Sequence, residues 1–250
     1  MDNYNSNQPF SNYTVEEQSV NVGTTQKTFV ASVFLWMFLA LGISAVCAYG
    51  FATTPGLLTY LINPETGGLS TLGYIAMFSP IGFVLAMSLG FARFSAATLV
   101  VLFVLYAAIT GISLSFILLL YTSGSVITCF AAAAGMFGLM AVMGYTTKQD
   151  LTSFGRLMFM GLVGIIIAMV INFFMQSARM DYIISIIGVL VFTGLTAYDV
   201  QKIKRIGAGV EYEGVGAEQT KKLAILGALN LYLDFLNIFL FLLRIFGGRK

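Results

Sequence analysis

Two acids stand inside apolar segments long enough to cross a bilayer: Asp199, within Val191-Phe-Thr-Gly-Leu-Thr-Ala-Tyr-Asp-Val200, and Asp234, near the middle of 223–246. A carboxylate in hydrocarbon costs roughly 2.5 to 3.5 kcal/mol on insertion scales, so it faces protein or water, takes a partner and marks a path for ions or protons. Asn230, Asp234 and Asn237 recur at i, i+4 and i+7 and so share one helix face. Thr196 lies three residues before Asp199, again on one face. Two carboxylates in one poorly solvated site cannot both ionise freely and titrate as a unit. Such a pair holds a shared proton or, deprotonated, offers oxygen ligands to a hard cation. The two states differ by about one charge, enough to bias a helix rearrangement. A buried, hydrogen-bonded pair that only fixes helix packing would use the same residues.

Other chemistries are thinly represented. The absence of histidine removes His-based zinc sites and Ser-His or Cys-His catalysis. Cys47 and Cys129, both in apolar surroundings, make neither a disulfide framework nor a metal site and read as small core residues. An intramembrane aspartyl protease also pairs two aspartates on neighbouring spans, one after a tyrosine, as Asp199 follows Tyr198. Such enzymes share a Gly-x-Gly-Asp motif, where this chain has Leu231-Tyr-Leu-Asp234. The chain therefore reads as a non-enzyme with no resident cofactor, its acids handling protons or a hard cation.

The elements that must position the acids are membrane helices. Of 250 residues 58% are hydrophobic and 10% charged, against about 25% charged in soluble domains. Residues 1–27 are polar, without the basic and apolar regions of a signal peptide, and read as a disordered cytoplasmic tail; its Asn12-Tyr13-Thr14 is a chance glycosylation triplet. Residues 28–250 form the transmembrane domain, with seven apolar segments at about 28–51, 71–91, 96–121, 125–145, 154–175, 182–200 and 223–246. The linker between the first two holds Pro55, Asn63, Pro64 and Gly67-Gly68, and only 201–222 reads as a long charged loop. Ala134 with Gly138, and Ala224 with Ala228, are spaced for close helix contact. The polar stripe on the seventh segment makes that helix central. With these ends, depth counting leaves Asp199 and Asp234 offset by roughly 10 Å, an offset that a helix continuing past the membrane edge would remove.

Basic residues set orientation. With an inward amino terminus, nine of the 13 Lys and Arg fall inside: Lys27, Arg93, Lys148, Arg156, Lys202, Lys204, Arg205, Lys221 and Lys222. Arg179, Arg244, Arg249 and Lys250 fall outside. Lys148, Asp150 and Arg156 read as solvated loop charges and Arg244 as an interfacial anchor. Arg93, at the inner end of the second segment, is either a snorkelling topogenic arginine or a movable latch that pairs with the aspartates.

Four stretches carry a resemblance: Gly194-Leu-Thr-Ala-Tyr-Asp-Val-Gln-Lys-Ile-Lys204, Leu229-Asn-Leu-Tyr-Leu-Asp-Phe-Leu-Asn-Ile-Phe239, Gly144-Tyr-Thr-Thr-Lys-Gln-Asp-Leu-Thr-Ser-Phe154 and Leu89-Gly-Phe-Ala-Arg-Phe-Ser95. From about residue 28 onward the chain resembles the Bax inhibitor-1 family, in its bacterial branch. The resemblance implies an all-α polytopic protein of the bacterial inner membrane, with six transmembrane helices wrapped around a central seventh. It implies a pH-sensitive calcium leak, with Asp199 and Asp234 as pH sensor and cation site and Arg93 as the residue that engages them. Asn230, Asn237 and Thr196 would then be polar lining. Where some relatives carry a further acid in the second span, Met77 to Phe91 has none. Expected partners are membrane lipids and a membrane protease, the latter through bacterial relatives; eukaryotic relatives suppress cell death. No nucleic-acid partner is expected. A non-transporting regulator of other membrane proteins is the alternative.

Overall fold

The computed structural model describes residues 24–63 and 68–250, and the described residues form eight α-helices. These are α1 (Thr24–Thr53), α2 (Pro55–Leu61), α3 (Thr71–Gly90), α4 (Ala96–Leu120), α5 (Ser123–Thr146), α6 (Thr152–Met175), α7 (Ala178–Glu213) and α8 (Ala217–Phe246). All but α2 are long and apolar enough to span a membrane, as the sequence predicts. The expected tail lies outside the described residues as far as residue 23, as do its Asn12 triplet and Pro64 to Gly67 of the linker. Thr24 to Lys27 instead form the first turn of α1.

Local chemistry sets the helix ends. Ser70, Ser95, Thr122 and Ser177 each cap a helix, their side-chain oxygens accepting from the backbone N–H of Gly73, Thr98, Ser125 and Met180. Gly214 closes α7 in the left-handed region at φ 60°, which glycine adopts without steric cost.

The main departure from expectation is at 201–222. This charged stretch is helical apart from 214–216: α7 continues to Glu213 and α8 begins at Ala217. The charges hide an amphipathic pattern, in which Ile203, Gly207 and Val210 recur at helical spacing and are buried. Gln26 Nε2 donates to the Lys204 carbonyl at 2.9 Å, and the Gln26 backbone N–H donates to Glu211 Oε2 at 3.2 Å, tying this extension to α1. Asp199 is thus well inside a 36-residue helix rather than at its end.

The longest runs of buried residues are in α7 and α8, and the principal neighbours of α8 are α1, α4, α5 and α7. The two remaining spans pack elsewhere, α6 chiefly on α7 and α3 on α4. Ala224 and Ala228 are buried as their spacing suggests, but Ala134 is exposed and a side chain at Gly138 would meet open space. On α5 the tight approach is at Gly144, where an added Cβ would run into the Ala197 carbonyl of α7. The buried face of α5 runs through Cys129, Ala133, Phe137 and Ala141, and Gly144 continues it; Ala134 and Gly138 lie off that line.

Candidate functional site: an aspartate cavity between α6, α7 and α8

Along α8 from Leu223 to Leu240 most residues are buried, and the half-exposed positions are Leu223, Leu226, Asn230, Leu233, Asn237 and Leu240. Their three-and-four spacing traces a single seam. The polar stripe predicted from Asn230, Asp234 and Asn237 opens along this seam into a cavity of about 650 Å³ between α6, α7 and α8. Asp199 and Tyr198 line it from α7, and Gly155 and Arg156 from α6. Gly155 makes the wall possible, because a Cβ there would enter the Tyr198 ring.

Both acids line this cavity, and the charge of Asp199 acts on the buried Asp234. Asp199 is half-buried, whereas Asp234 is 4% exposed and its Oδ2 has no hydrogen-bond partner among the described residues. A buried, unpaired carboxylate oxygen is costly, and a proton, a water or an ion on it would relieve that cost. Two carboxylates with the side-chain oxygens of Asn230 and Asn237 are hard-cation chemistry, although calcium wants six to eight oxygens, so water would have to complete its shell. Among the described residues no group of three or more metal-binding side chains exists, and the cavity is therefore not a closed metal cage.

Two of the residues expected beside the pair are elsewhere. Thr196 is fully buried, and its hydroxyl donates to the Phe192 carbonyl at 2.8 Å inside its own helix. It lies three residues from Asp199 but is turned off the cavity, because the α7 face through Thr196 is packed. Arg93 is exposed on the α3–α4 turn, with no ion pair among the described residues and no place in the cavity wall. That turn packs instead on the start of α8, where the Ala96 N–H reaches Glu218 Oε1 at 3.4 Å and Lys222 lies over the Phe91 ring.

The basic groups at the cavity are Arg156 and Lys202, both exposed. Lys202 follows Asp199 by three residues on α7, and its charge acts on that carboxylate. The i, i+3 spacing was a usable signal in the sequence. Arg156 offered none, since it reaches the site only because α6 packs on α7. Asp150, on the α5–α6 loop, is no free loop charge. Arg205 of the α7 extension meets Asp150 Oδ1 at 2.6 Å, and the Thr152 hydroxyl donates to the same oxygen at 2.6 Å. Together the Thr152 hydroxyl and the guanidinium hold the Asp150 carboxyl well below the usual carboxylate range. Gln201 donates to the Gln149 carbonyl at 2.7 Å, and Lys204 to the Tyr145 carbonyl at 2.8 Å, completing a clasp between the α5–α6 loop and α7.

The profile of the family described as "Inhibitor of apoptosis-promoting Bax1" matches residues 26–250. The inner membrane protein YbhL of Escherichia coli is 41% identical over 224 residues, covering 90% of this chain and 93% of that one. The chain belongs to the Bax inhibitor-1 family. An uncharacterized protein of Borreliella burgdorferi is 40% identical over 95% of this chain and 97% of its own length. An uncharacterized membrane protein of Streptococcus pyogenes is 34% identical over 91% and 94%. As a Bax inhibitor-1 member with seven apolar spanning helices, this is a multi-pass membrane protein; the family description names no catalytic activity. The two aspartate segments behind the resemblance both lie at one cavity, whereas the Arg93 segment does not.

Proposed function

We propose that this Bax inhibitor-1 member is a pH-sensitive calcium leak channel of the bacterial inner membrane, gated by protonation of the Asp199–Asp234 pair. The observation that carries the reading is the single cavity lined by both carboxylates, one of them buried with an unpaired oxygen. Deprotonated, the pair offers oxygen ligands to a passing divalent cation. A proton on the pair removes about one charge from the bundle and biases the helices that carry it, α7 and α8. Facing the pair are Lys202 from α7, Arg156 from α6 and the Tyr198 phenol. In this reading the amino terminus is cytoplasmic, so the cavity opens to the cytoplasmic half, and Arg156 and Lys202 stand where a cation would enter.

Those two cations are also the observation that favours a second reading. A cavity holding two acids and two bases is close to neutral, and a membrane regulator that binds a partner such as a membrane protease could use it as structural support alone. Calcium flux into dye-loaded proteoliposomes from about pH 5 to 8 separates the two. The channel reading expects pH-dependent flux in the wild type, a profile flattened by Asp199→Asn or Asp234→Asn, and no such effect from a folding-neutral Ile167→Phe on the exposed face of α6. Wild-type flux no greater than that of empty liposomes at every pH would sink it in favour of the regulator.

A further inference from the structure

On the opposite face of α8 a second cavity, of about 460 Å³, lies between α1, α4, α5 and α8. Its size is that of a small-ligand pocket, and its walls, among them Ala48, Leu114, Val126 and Leu236, are apolar. The floor is at Ser44, whose hydroxyl contacts the Ala107 carbonyl at 2.7 Å and shares a 2.6 Å hydrogen bond with the Tyr232 hydroxyl. The polar atoms at the floor thus have partners within the protein, and an apolar end can rest on them without loss.

The polar groups are at the other end, at Thr53, Ser123 and Lys250. Lys250 is built in: its Nζ donates to the Leu118 carbonyl at 2.8 Å, which engages one N–H and leaves two for an anion. The segment carrying it is pinned to the α4–α5 turn, with Thr122 N–H donating to the Gly248 carbonyl and Lys250 N–H to the Leu120 carbonyl, both at 3.0 Å. From Ser44 to Thr53 α1 rises about 13 Å. Half of a bilayer core of about 30 Å is about 15 Å, so the cavity reaches from the headgroup level nearly to the midplane.

We propose that this cavity is a binding site for one acyl chain of an anionic phospholipid, with the headgroup phosphate on Lys250 and the chain end at the Ser44–Tyr232 pair. Depth selects a lipid tail, because a free ion or a polar solute has nothing to bond along those walls. Charge selects the headgroup, because a basic residue at the mouth of a pocket between membrane helices attracts anionic lipid. The site stands apart from the aspartate cavity and does not rest on ion conduction.

Native mass spectrometry of the full chain in detergent micelles, titrated with phosphatidylglycerol or with phosphatidylcholine of the same acyl chains, tests it. Ala45→Phe fills the cavity from an exposed wall position, so the helix packing is undisturbed; Lys250→Gln removes the charge; Ile167→Phe on α6 controls for lipid bound at the periphery. The expected result is one tightly held phosphatidylglycerol, weakened at least tenfold by Ala45→Phe and unchanged by Ile167→Phe. Lys250→Gln should weaken it about fivefold while leaving phosphatidylcholine unchanged, the contribution of one basic residue near anionic lipid. Equal retention of the two lipids by the wild type, or equal effects of Ala45→Phe and Ile167→Phe, would overturn the proposal. Circular dichroism and monodisperse elution of each variant establish that it is folded.

Discussion

Asn230, Asp234 and Asn237 run down one side of α8, and Tyr232, Leu236 and Phe239 down the other, at the same i, i+4, i+7 spacing. The first set faces the seam where α6 and α7 leave room, and ends in a carboxylate oxygen with no partner. The second packs among α1, α4 and α5, where the Tyr232 hydroxyl is bonded to Ser44, its ring meets Tyr106 and Phe103 edge-on, and Phe239 meets Phe130 in the same way. One helix thus carries a side that leaves a carboxylate oxygen unmet and a side on which the Tyr232 hydroxyl is bonded, the unmet atom near that second side being a neutral hydroxyl, that of Thr110 on α4. Stability is expected to reside on the second side and function on the first, since functional sites are where folds leave local rules unmet.

Asp234→Leu is the strongest way to break that contrast. Leucine removes the unpaired carboxylate and opens onto a cavity with room for it. The expected outcome is a pH profile of calcium flux lost altogether, a change of about tenfold or more at its steepest point, alongside a gain of about 1 to 3 kcal/mol in resistance to unfolding. Flux and thermal unfolding in micelles, measured on the same preparation, check both. A variant that loses stability together with flux would place Asp234 on the structural side of the helix instead.

Neutralising the mouth sharpens the same face. Arg156→Gln with Lys202→Gln removes two positive charges from the cavity that holds the acids. At a solvated mouth each charge contributes about 1 kcal/mol to a passing cation, so calcium flux should rise roughly fivefold per charge at low ionic strength and less in high salt. Arg93→Gln, on a turn away from the cavity, should leave the flux within about twofold. A larger effect from Arg93 than from Arg156 would mean that the conducting state brings Arg93 to the aspartates.

Tyr232→Phe tests the other face. It removes one buried hydrogen bond while Ser44 keeps the Ala107 carbonyl, so the expected cost is about 1 kcal/mol in unfolding experiments. The pH profile of flux should not move. A shifted profile would show that the two sides of α8 act as one unit.

How far these faces could be read from the sequence follows from what each depends on. The α8 stripe was legible because helical spacing alone aligns Asn230, Asp234 and Asn237, and the seven spans because apolar runs are long. The placing of Asp199 and Asp234 at one cavity was only half legible. It needed α7 to run on beyond Val200, and the charges of 201–213 suggested a loop although Ile203, Gly207 and Val210 kept the helical period. Thr196 shows the limit of spacing: it shares a coarse face with Asp199, yet 300° of helical rotation over three residues turns it into the packed side. Arg156 and the Ser44–Tyr232 pair depend on which helices neighbour one another, and no local pattern encodes that.

The smallest effect is expected at the clasp that holds the α7 extension. Asp150 is exposed, so its pair with Arg205 is solvated, and such pairs add little to global stability. Its carboxyl is nevertheless held low, by the Thr152 hydroxyl first and Arg205 second. A depressed carboxylate contributes stability that is present above its unfolded value, about pH 4, and is lost only as pH falls through the lower folded value. The clasp should therefore remain closed throughout the range in which the aspartate pair is assayed. Amide hydrogen exchange at Thr152, whose N–H donates to Asp150 Oδ1 at 2.9 Å, reads this directly. Between about pH 5 and 8, Asp150→Asn should speed that exchange severalfold and leave the pH profile of flux in place. If Asp150→Asn instead shifts the flux profile, part of the pH response belongs to the clasp, and the contrast between the two sides of α8 does not account for it.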